Sequence, residues 1–490
     1  MADVQVQHLP AGGNASVKQR RTMGKLAMVF CCGSALISDG YVNSAAGTVN
    51  LFLGKLHPKE YASNHHSQIF TGIAYLGIIC GQLGFGYIVD RYGRKSSMLA
   101  ASCIMIVGSA LCAGAYGANG SVDGMLAALI VYRFITGIGI GAEYPSGSVA
   151  CSESSEATGV NTRWSHMWFA LATDCAIDLG FVIASFVPLV LVWIFGDKNL
   201  EPVWRLTFGL GIVPAALVLL WRLRMPHEPE LYRKSAIKRN IPYRLIIKRY
   251  WRPLLGLSAA WWLYNFIVYP FGLFSSVIVD TITGSSTKLT TVLAWNLVIN
   301  AFYLPGACIG ALTVDWLKPK RQLMVGLVLQ GIVGLSMSGA YTKLTEHIAA
   351  FAILYGLFLS LGEFGPGDCL GLLASKCFPT AARGQMYAIA AAIGKTGAYS
   401  GIWAFPAIIN AFPAGPKQTS GPFWIGSGLA FLSAIIVFFL ITEIKQDGMR
   451  DEDEAFKQYL ADNGYDVSQM GAPEDIDDES IDEDKKQAIY

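Results

Sequence analysis

The sequence predicts an all-α membrane protein with twelve transmembrane helices, arranged as two six-helix bundles. Three observations predict this fold: twelve long apolar runs, basic loops on one side only, and an internal repeat of polar residues. Hydrophobic residues make up 53% of the 490 positions and charged residues only 15%, against about 25% charged residues in soluble domains. We therefore expect a chain embedded in a lipid bilayer, and no soluble multidomain protein.

Each apolar run is long enough to cross the hydrocarbon core of a bilayer as a helix, which takes about 20 residues. The runs lie near 26–50, 69–90, 97–117, 123–147, 165–194, 204–222, 254–279, 289–314, 322–341, 347–371, 383–410 and 422–443. They divide the chain into an N-terminal segment (1–23), a first six-helix bundle (24–222), a central loop (223–253), a second six-helix bundle (254–444) and a tail (445–490).

Basic residues concentrate in the loops on one side. The stretch 222–252 holds ten Lys and Arg against two Glu, whereas the loop 118–122 has no Lys or Arg. The positive-inside rule then places the central loop and both termini in the cytoplasm. Such a basic segment could bind nucleic acid, but its place between two bundles favours a topology signal and contact with anionic lipid. We expect no nucleic-acid partner.

The tail at 445–490 is acidic, with the run Asp451 to Glu454 and a second acidic run from Glu474 to Asp484. Such a composition predicts a solvated, disordered cytoplasmic extension. Regulation or turnover signalling is the alternative role for it.

Polar residues recur in the two halves at nearly constant spacing, between 220 and 226 positions. The matched pairs are Asp39 with Asn265, Asp90 with Asp315, Glu143 with Glu363, and Asp174 with Lys395. Transporter folds often contain two related halves, so the spacing predicts a six-plus-six duplication.

Charged residues inside the apolar runs predict the functional centre. One such group costs roughly 2.5–3.5 kcal/mol on insertion scales, and these groups usually line a path for substrate or protons. No nucleophile, metal-ligand spacing or cofactor motif accompanies them, so we expect no enzyme, metal or cofactor. The residues are Asp39, Arg133, Glu143, Asp174, Asp178, Glu363 and Lys395.

Two sets of residues are expected to contact substrate. Trp261, Asn265 and Tyr269 follow at i, i+4 and i+8 and share one helix face, which is either a wet cavity wall or a packed polar cluster. Lys395 lies about 13 residues into its run, roughly 20 Å deep, and there it needs an anionic partner. That partner is either Asp39 or Asp174, or a substrate anion.

The carboxylates leave several roles open. Asp39 either carries the proton or forms a salt bridge, and Glu143 either carries the proton or closes an inner gate. Arg133 serves either coupling or packing. Asp174 and Asp178 stand at i, i+4 and share a face, where they could share a proton, accept hydrogen bonds from a polyol or attract a quaternary ammonium group.

Two segments resemble the signature motifs of the major facilitator superfamily, namely 86–95 (GYIVDRYGRK) and 132–141 (YRFITGIGIG). At the end of the second span, and at its repeat in the second half, we expect a charge latch that breaks and reforms during transport. Its residues are Asp90, Arg91, Arg94 and Asp315.

Four further segments resemble the phosphate:proton symporter branch of that superfamily: 141–145, 261–269, 378–384 and 394–398. The resemblance covers about residues 24–444. It implies proton coupling at Asp39 and phosphate binding by Tyr144, Trp261, Tyr269 and Lys395.

Departures from the phosphate transporters narrow the resemblance. Asn265 and Glu143 replace aspartates, Gly367 replaces an asparagine, and Asp174 and Asp178 add acids. In these features the chain is similar to the fungal glycerophosphodiester permeases.

The resemblance implies proton-coupled import of glycerophosphoinositol or glycerophosphocholine across the plasma membrane, by alternating access. The alternatives are a proton-coupled symporter for inorganic phosphate and a nutrient-sensing membrane receptor. The expected partners are therefore an organic phosphodiester or phosphate, protons and membrane lipid.

Overall fold

The computed structural model of the chain is helical throughout its described part. It describes residues 24, 26–62, 65–157, 161–225, 228–229, 231–232, 237, 241–284, 287–413, 416–446, 448–467 and 470. The predictions for the N-terminal segment 1–23, for most of 226–240 and for the end of the tail lie outside these residues.

Twelve helices of transmembrane length follow one another in the described chain, as the apolar runs predict. They are α1 (Leu26–Leu56), α2 (His66–Tyr92), α3 (Arg94–Ala113), α4 (Val122–Ser155), α5 (Thr162–Phe195), α6 (Leu200–Leu223), α7 (Tyr243–Thr283), α8 (Leu289–Leu317), α9 (Pro319–Gly339), α10 (Ile348–Lys376), α11 (Arg383–Ala411) and α12 (Pro416–Leu440). Short helices at Pro58–Ala62 and Tyr341–Thr345 lie in the connections.

Helices α1–α6 and α7–α12 form the two halves of the molecule. Across the boundary between them, α2 packs along α11, α5 packs along α8, and α1 contacts α7. We call the side that holds the start of α1 and the last helix of the described chain the terminal face, and the opposite side the far face. The pairing places the middles of eight helices around the molecular centre.

Helices α4 and α10 are interrupted at matching places by one π-helical turn each, at Tyr144–Ser148 and Glu363–Gly367. Pro145 and Pro366 lie in these turns, and proline removes a backbone donor from the helix ladder. Such turns are frequent at functional sites. The two turns begin 219 positions apart, so they occupy equivalent places in the two halves.

Helix α11 is less apolar than the other eleven transmembrane helices. Among the described residues, those eleven are long and apolar enough to be recognised as spanning helices by hydropathy, and α11 is not. It carries Arg383 and Lys395, both buried inside the protein. Its glycines let α7 approach closely: a Cβ at Gly394 would lie 2.8 Å from Cγ of Trp261. This close packing holds Lys395 beside the polar face of α7.

Helix α7 begins at Tyr243, about ten residues earlier than the sequence predicts. The segment expected to belong to the central loop, 243–253, is therefore helical. Ile246 and Tyr250 are buried at a spacing of four residues, which places them on one face of the added turns. Four of the remaining nine residues there are basic, and their charge lowers the mean hydropathy of a window that contains this short apolar face.

The tail is not disordered over its whole length, so this prediction is wrong for the described part. Residues Gly448–Asp462 form a thirteenth helix, α13, on the terminal face. Its buried side chains are Met449, Asp453, Phe456 and Leu460, whose spacing of three and four residues marks one buried face. The high charge of the remaining positions concealed this face in the composition.

Candidate substrate cavity

A cavity lies between the two halves, with about 890 Å³ of empty volume that includes open solvent. Helices α1, α2, α4 and α5 line it from one half, and α7, α8, α10 and α11 from the other. Six of the seven residues predicted to bind substrate line its wall: Tyr144, Asp174, Trp261, Asn265, Tyr269 and Lys395.

Lys395 lies at the centre of this wall with only 1% of its surface exposed. Its ammonium group donates to the hydroxyl of Tyr269 and lies 5.0 Å from the ring centre of Tyr144. In the described part of the chain, no carboxylate oxygen lies within 4.0 Å of it. The lysine is thus held by aromatic groups, and its charge remains available to an anion in the cavity.

Asn265 offers a second donor on the same helix face as Tyr269. It is 1% exposed, and its amide nitrogen has no acceptor among the described residues. A buried amide without a partner costs about 1–3 kcal/mol. Asn265 can therefore donate to an acceptor that enters the cavity.

Asp39 lies just behind the cavity wall and is fully buried. One carboxylate oxygen accepts from the side-chain nitrogen of Asn43 at 2.5 Å, and the other has no donor among the described residues. Lys395 and Tyr144 are close enough to interact with it electrostatically. Asp39 therefore responds to whatever changes the charge around Lys395.

Four carboxyl groups gather at another part of the cavity, and we call them the acidic cluster: Asp174, Asp178, Glu363 and Asp368. Oxygen atoms of the first three lie within 4.8 Å of one another, and Asp368 interacts electrostatically with all three. Asp174 and Glu363 line the cavity, whereas Asp178 and Asp368 stand behind them.

The sequence indicated only part of this cluster. Glu363 stood out as a charge in an apolar run but received no role, and Asp368 was missed. Glu363 accepts from the hydroxyl of Tyr264 at 2.8 Å. The signal for Asp368 was available, since it is the first residue after the π-helical turn that carries Glu363.

Glu143 lies outside the cavity wall, in an ion pair with Arg222. Its carboxylate accepts from the guanidinium at 2.6 Å, with both side chains buried, and from the hydroxyl of Ser102 at 3.2 Å. This geometry ties α4 to α6 within the first half, and both roles of Glu143, proton carrier and inner gate, stay predictions. Arg222 was not predicted to belong to the site, because it falls at the end of an apolar run, where basic residues are common.

Arg133 packs against rings and pairs with no carboxylate within 4.0 Å among the described residues. Its Nε donates to the backbone oxygen of Phe70 at 3.1 Å, and the guanidinium lies 5.0 Å from that residue's ring centre. A role of Arg133 in proton coupling stays a prediction. Tyr75 lies between the two groups concerned, since it interacts electrostatically with both Arg133 and Asp39.

On the terminal face, Asp90 joins the two halves. It accepts from the backbone amides of Gly384 at 3.1 Å and Gln385 at 2.8 Å, at the start of α11. Arg94, from its own half, donates to the same carboxylate at 2.8 Å. An anion at a helix N-terminus is stabilised by the helix dipole, so this contact favours the closed arrangement of α2 and α11.

Glu153 provides a second link beside the first. Its carboxylate pairs with Arg94 at 2.9 Å and, across the boundary, with Arg383 at 3.2 Å. All three side chains are buried. The sequence missed Glu153 because α4 continues eight residues beyond its predicted end.

The second half repeats this arrangement. Asp315 accepts from the backbone amide of Met167 at 2.8 Å, near the start of α5, and from Gln446 at 3.2 Å. Glu156 pairs with Lys376 at 2.6 Å across the boundary. We call the links formed by Asp90, Glu153, Glu156 and Asp315 the terminal network.

Arg91, which was predicted to belong to the latch, does not take part in the terminal network. It is exposed and contacts the hydroxyl of Tyr87, one turn earlier in α2. Its position on the outside of the helix, one residue beyond Asp90, turns it away from α11.

The far face is held by a weaker link. Lys55 at the end of α1 pairs with Asp280 at the end of α7 at 3.0 Å, and their side chains are 37% and 25% exposed. Exposed pairs contribute about 0–1 kcal/mol. The two halves are thus joined by buried charges on the terminal face and by a screened pair on the far face.

Comparisons with known proteins agree with this architecture. The family model of the sugar (and other) transporters matches residues 25–234 and again 234–456. The proton:xylose symporter XylE has a similar fold, with a TM-score of 0.74 at 19% identity over 89% of this chain and 99% of the other. The match to each half separately agrees with the predicted duplication, and the fold confirms the predicted class.

Closer relatives come from Candida albicans. The chain is 41% identical to the major glycerophosphoinositol permease GIT3, over 91% of this chain and 84% of the relative. It is 40% identical to the glycerophosphocholine permease GIT4, over 93% and 86%. These relatives are permeases and not enzymes, which confirms the expectation drawn from the motifs. The chain belongs to the sugar (and other) transporter family of the major facilitator superfamily, in the group that contains the fungal glycerophosphodiester permeases.

Proposed function

We propose that this chain is a proton-coupled symporter that imports a glycerophosphodiester by alternating access. The observation that carries the proposal is Lys395, a buried cation without a carboxylate partner within 4.0 Å in the described residues, in the wall of a central cavity. A phosphodiester carries one negative charge, which one ammonium group matches as a point charge. The names of the two Candida permeases support the same class of substrate.

The other donors of the wall favour a diester over inorganic phosphate. An ionised diester has no P–OH group, so it needs only donors from the protein, whereas dihydrogen phosphate also needs acceptors for its two hydroxyl groups. Asn265 presents a free amide donor, and an aspartate there would offer only acceptors when ionised. The amide therefore suits the oxygen atoms of a diester.

Proton coupling follows from the place of Asp39 beside Lys395. When the substrate anion binds Lys395, the lysine's charge is shared and stabilises the Asp39 carboxylate less. Since burial disfavours a charged carboxylate, a proton then binds Asp39 more readily. Binding of the two solutes is thereby linked, and the linkage is reciprocal.

Alternating access needs two gates, and both faces offer one. The pair Lys55–Asp280 on the far face is exposed and weak. On the terminal face, separating the halves breaks the buried ion pairs of Glu153 and Glu156 and removes donors from Asp90 and Asp315. The far face therefore opens at lower cost when the cavity is empty, and substrate enters from that side.

The orientation rests on the basic loops. They flank the terminal face, so the positive-inside rule places this face and both chain ends in the cytoplasm. The protein then lies in the plasma membrane with its far face toward the outside of the cell. Import follows from the proton gradient across that membrane.

A competition experiment tests the substrate. In cells without their own diester uptake, labelled glycerophosphoinositol, glycerophosphocholine and phosphate are supplied side by side at about pH 5 and about pH 7.5. We expect diester uptake to be faster at the lower pH, to be lost with a protonophore, and to withstand an equal concentration of unlabelled phosphate. If phosphate displaces the diester, or is carried in its place, the phosphate alternative is correct.

The variant Lys395→Met should lose uptake of every substrate, with the exposed Lys343→Met as the matched control. Counterflow in proteoliposomes separates a carrier from a receptor, because only a carrier exchanges labelled for unlabelled substrate across the membrane. A protein that binds the diester without counterflow would contradict the proposal and support the receptor alternative.

A further inference from the structure

We infer that the cavity selects diesters whose second substituent carries a positive charge, as choline does, and that the acidic cluster binds this charge. The inference rests on the proposed function and names what that function leaves open, the chemistry of the head group. The site would then hold a zwitterion, with the phosphodiester at Lys395 and the cation at Asp174, Asp178 and Glu363.

The first argument is the uncompensated charge of the cluster. Three carboxyl groups lie within 4.8 Å of one another, and no Lys or Arg nitrogen lies within 4.0 Å of them among the described residues. Carboxylates this close cannot all ionise without a compensating cation. A ligand that brings a cation relieves this repulsion, whereas a second anion increases it.

The second argument is the set of polar atoms that find no partner in the protein. Asp178 is fully buried, and neither of its oxygen atoms has a donor among the described residues. Asn265, on the wall of the same cavity, has a free amide nitrogen at 1% exposure. Asp178 thus lacks a positively charged partner, and Asn265 lacks a hydrogen-bond acceptor. A zwitterionic diester supplies both, with its cationic head group and its phosphodiester oxygen atoms.

The third argument is the aromatic surround of the cluster. Tyr264 donates to Glu363 at 2.8 Å, and Tyr303 interacts electrostatically with Glu363 and Asp178. Phe181, one turn beyond Asp178 in α5, packs against Tyr303 with ring centres 5.1 Å apart. Aromatic faces together with carboxylates are the usual recognition elements for quaternary ammonium groups.

A neutral polyol fits this region less well. Inositol hydroxyl groups can donate to carboxylate oxygen atoms, but they bring no positive charge. The repulsion among the carboxyl groups of the acidic cluster would therefore remain when a polyol binds.

Gly367 explains how the acids keep their place at the wall. A Cβ at this position would collide with the carboxylate of Glu363 and lie 2.9 Å from an oxygen atom of Asp174. The carboxyl groups therefore occupy the space beside this glycine, so the glycine serves the acidic cluster directly.

The test compares a charged and an uncharged head group of the same shape. The competitors are glycerophosphocholine, its uncharged analogue glycerophospho-3,3-dimethylbutanol, and glycerophosphoinositol, each measured against uptake of a labelled diester that the full-length chain carries. We expect glycerophosphocholine to inhibit at concentrations at least about tenfold lower than its uncharged analogue, which is the factor given by about 1.4 kcal/mol.

Charge-neutral variants locate the effect. Asp178→Asn and Glu363→Gln are isosteric replacements that remove only the negative charge. Each should reduce the tenfold preference for glycerophosphocholine to about threefold or less. Each should change inhibition by glycerophosphoinositol by less than about threefold. The exposed Asp123→Asn is the matched control, and gel-filtration profiles monitor folding. If a variant does not fold, the inference is tested by the wild-type protein alone, through its preference for glycerophosphocholine over the uncharged analogue.

Several outcomes would overturn the inference. Equal inhibition by the charged and uncharged analogues would do so, as would variants that weaken glycerophosphoinositol as strongly as glycerophosphocholine. A preference that disappears with a metal chelator would assign the cluster to a metal ion instead. If glycerophosphoinositol is carried and glycerophosphocholine is not, the inference fails and the proposed function stands. If only phosphate is carried, the proposed function itself fails.

Discussion

Asp90 in α2 and Asp315 in α8 occupy equivalent places, 225 positions apart, and each holds the N-terminal turn of a helix from the opposite half. Asp90 accepts from backbone amides at the start of α11, and Asp315 from the amide of Met167 near the start of α5. The duplication has therefore preserved a contact across the boundary as well as a sequence spacing. Both contacts must break before the terminal face can open.

The first prediction concerns this pair of contacts. Asp90→Ala should slow transport without a large change in substrate affinity, because the residue lies on the terminal face and does not line the cavity. Loss of a charged hydrogen-bond acceptor of this kind costs about 1.5–3 kcal/mol. Initial uptake rates over a range of substrate concentrations give the maximal rate and the half-saturating concentration separately.

Asp315→Ala should act in the same direction, and the exposed Asp123→Ala should have no effect. A large rise in the dissociation constant with an unchanged maximal rate would show that Asp90 supports the cavity and not the gate.

The second prediction uses two cysteines at the boundary. Cys175 in α5 and Cys308 in α8 have sulfur atoms 3.7 Å apart, and a disulfide needs about 2.05 Å, so a small approach suffices. Mild oxidation should join them and lock the halves in this closed arrangement. We expect loss of transport that a reducing agent restores.

Cys175→Ser is the control and should be insensitive to the oxidant. Full transport by a demonstrably cross-linked protein would mean that α5 and α8 do not separate at this depth, and that the gating movement lies elsewhere.

The third prediction concerns α13. Asp453 accepts from the amide of Thr380 at 2.7 Å and from its hydroxyl at 2.6 Å, next to the start of α11. Asp453→Ala should therefore destabilise the closed terminal face by about 1–3 kcal/mol. A cysteine introduced at Ser375, which is buried between the halves and bonds to Ser152, should then react faster with a soluble thiol reagent.

The exposed Asp462→Ala, at the end of the same helix, should leave the reaction rate unchanged. If Asp453→Ala leaves it unchanged as well, α13 is a passive attachment and has no part in the gate.

Much of the fold could be predicted because hydropathy acts over about 20 residues at a time and the bilayer imposes one helix length. Helix α13 was not predicted, because a short amphipathic helix owes its stability to tertiary packing of one face and not to composition. The early start of α7 was not predicted for the same reason.

The candidate site shows a similar division. Lys395 and Asn265 could be named because a charge or amide in an apolar run is costly and stands out. Glu153 and Arg222 lie near helix ends, where charged residues are ordinary, so only their partners across space reveal a role. Asp368 was missed because its significance depends on three acids from other turns and another helix.

The fourth prediction concerns the anion side of the cavity. Asn265→Asp should weaken diester uptake at least about tenfold, because an ionised carboxylate repels a diester oxygen where the amide donates to it. The same change should raise phosphate uptake relative to diester uptake, since a carboxylate accepts from P–OH groups. Parallel uptake of both labelled solutes measures the ratio.

Asn265→Ala serves as the control, because it removes the donor without adding a charge and should weaken both solutes. An Asn265→Asp variant that transports the diester as well as wild type does would place the phosphodiester elsewhere in the cavity.

The central claim is that Asp39 couples proton entry to substrate entry. Its most direct test is accumulation of labelled glycerophosphodiester in proteoliposomes with an imposed pH gradient, for wild type and for Asp39→Asn. Wild type should concentrate the diester against its gradient, and Asp39→Asn should only exchange labelled for unlabelled diester without accumulation. Accumulation by Asp39→Asn at the wild-type level would contradict the account and move proton coupling to another carboxylate.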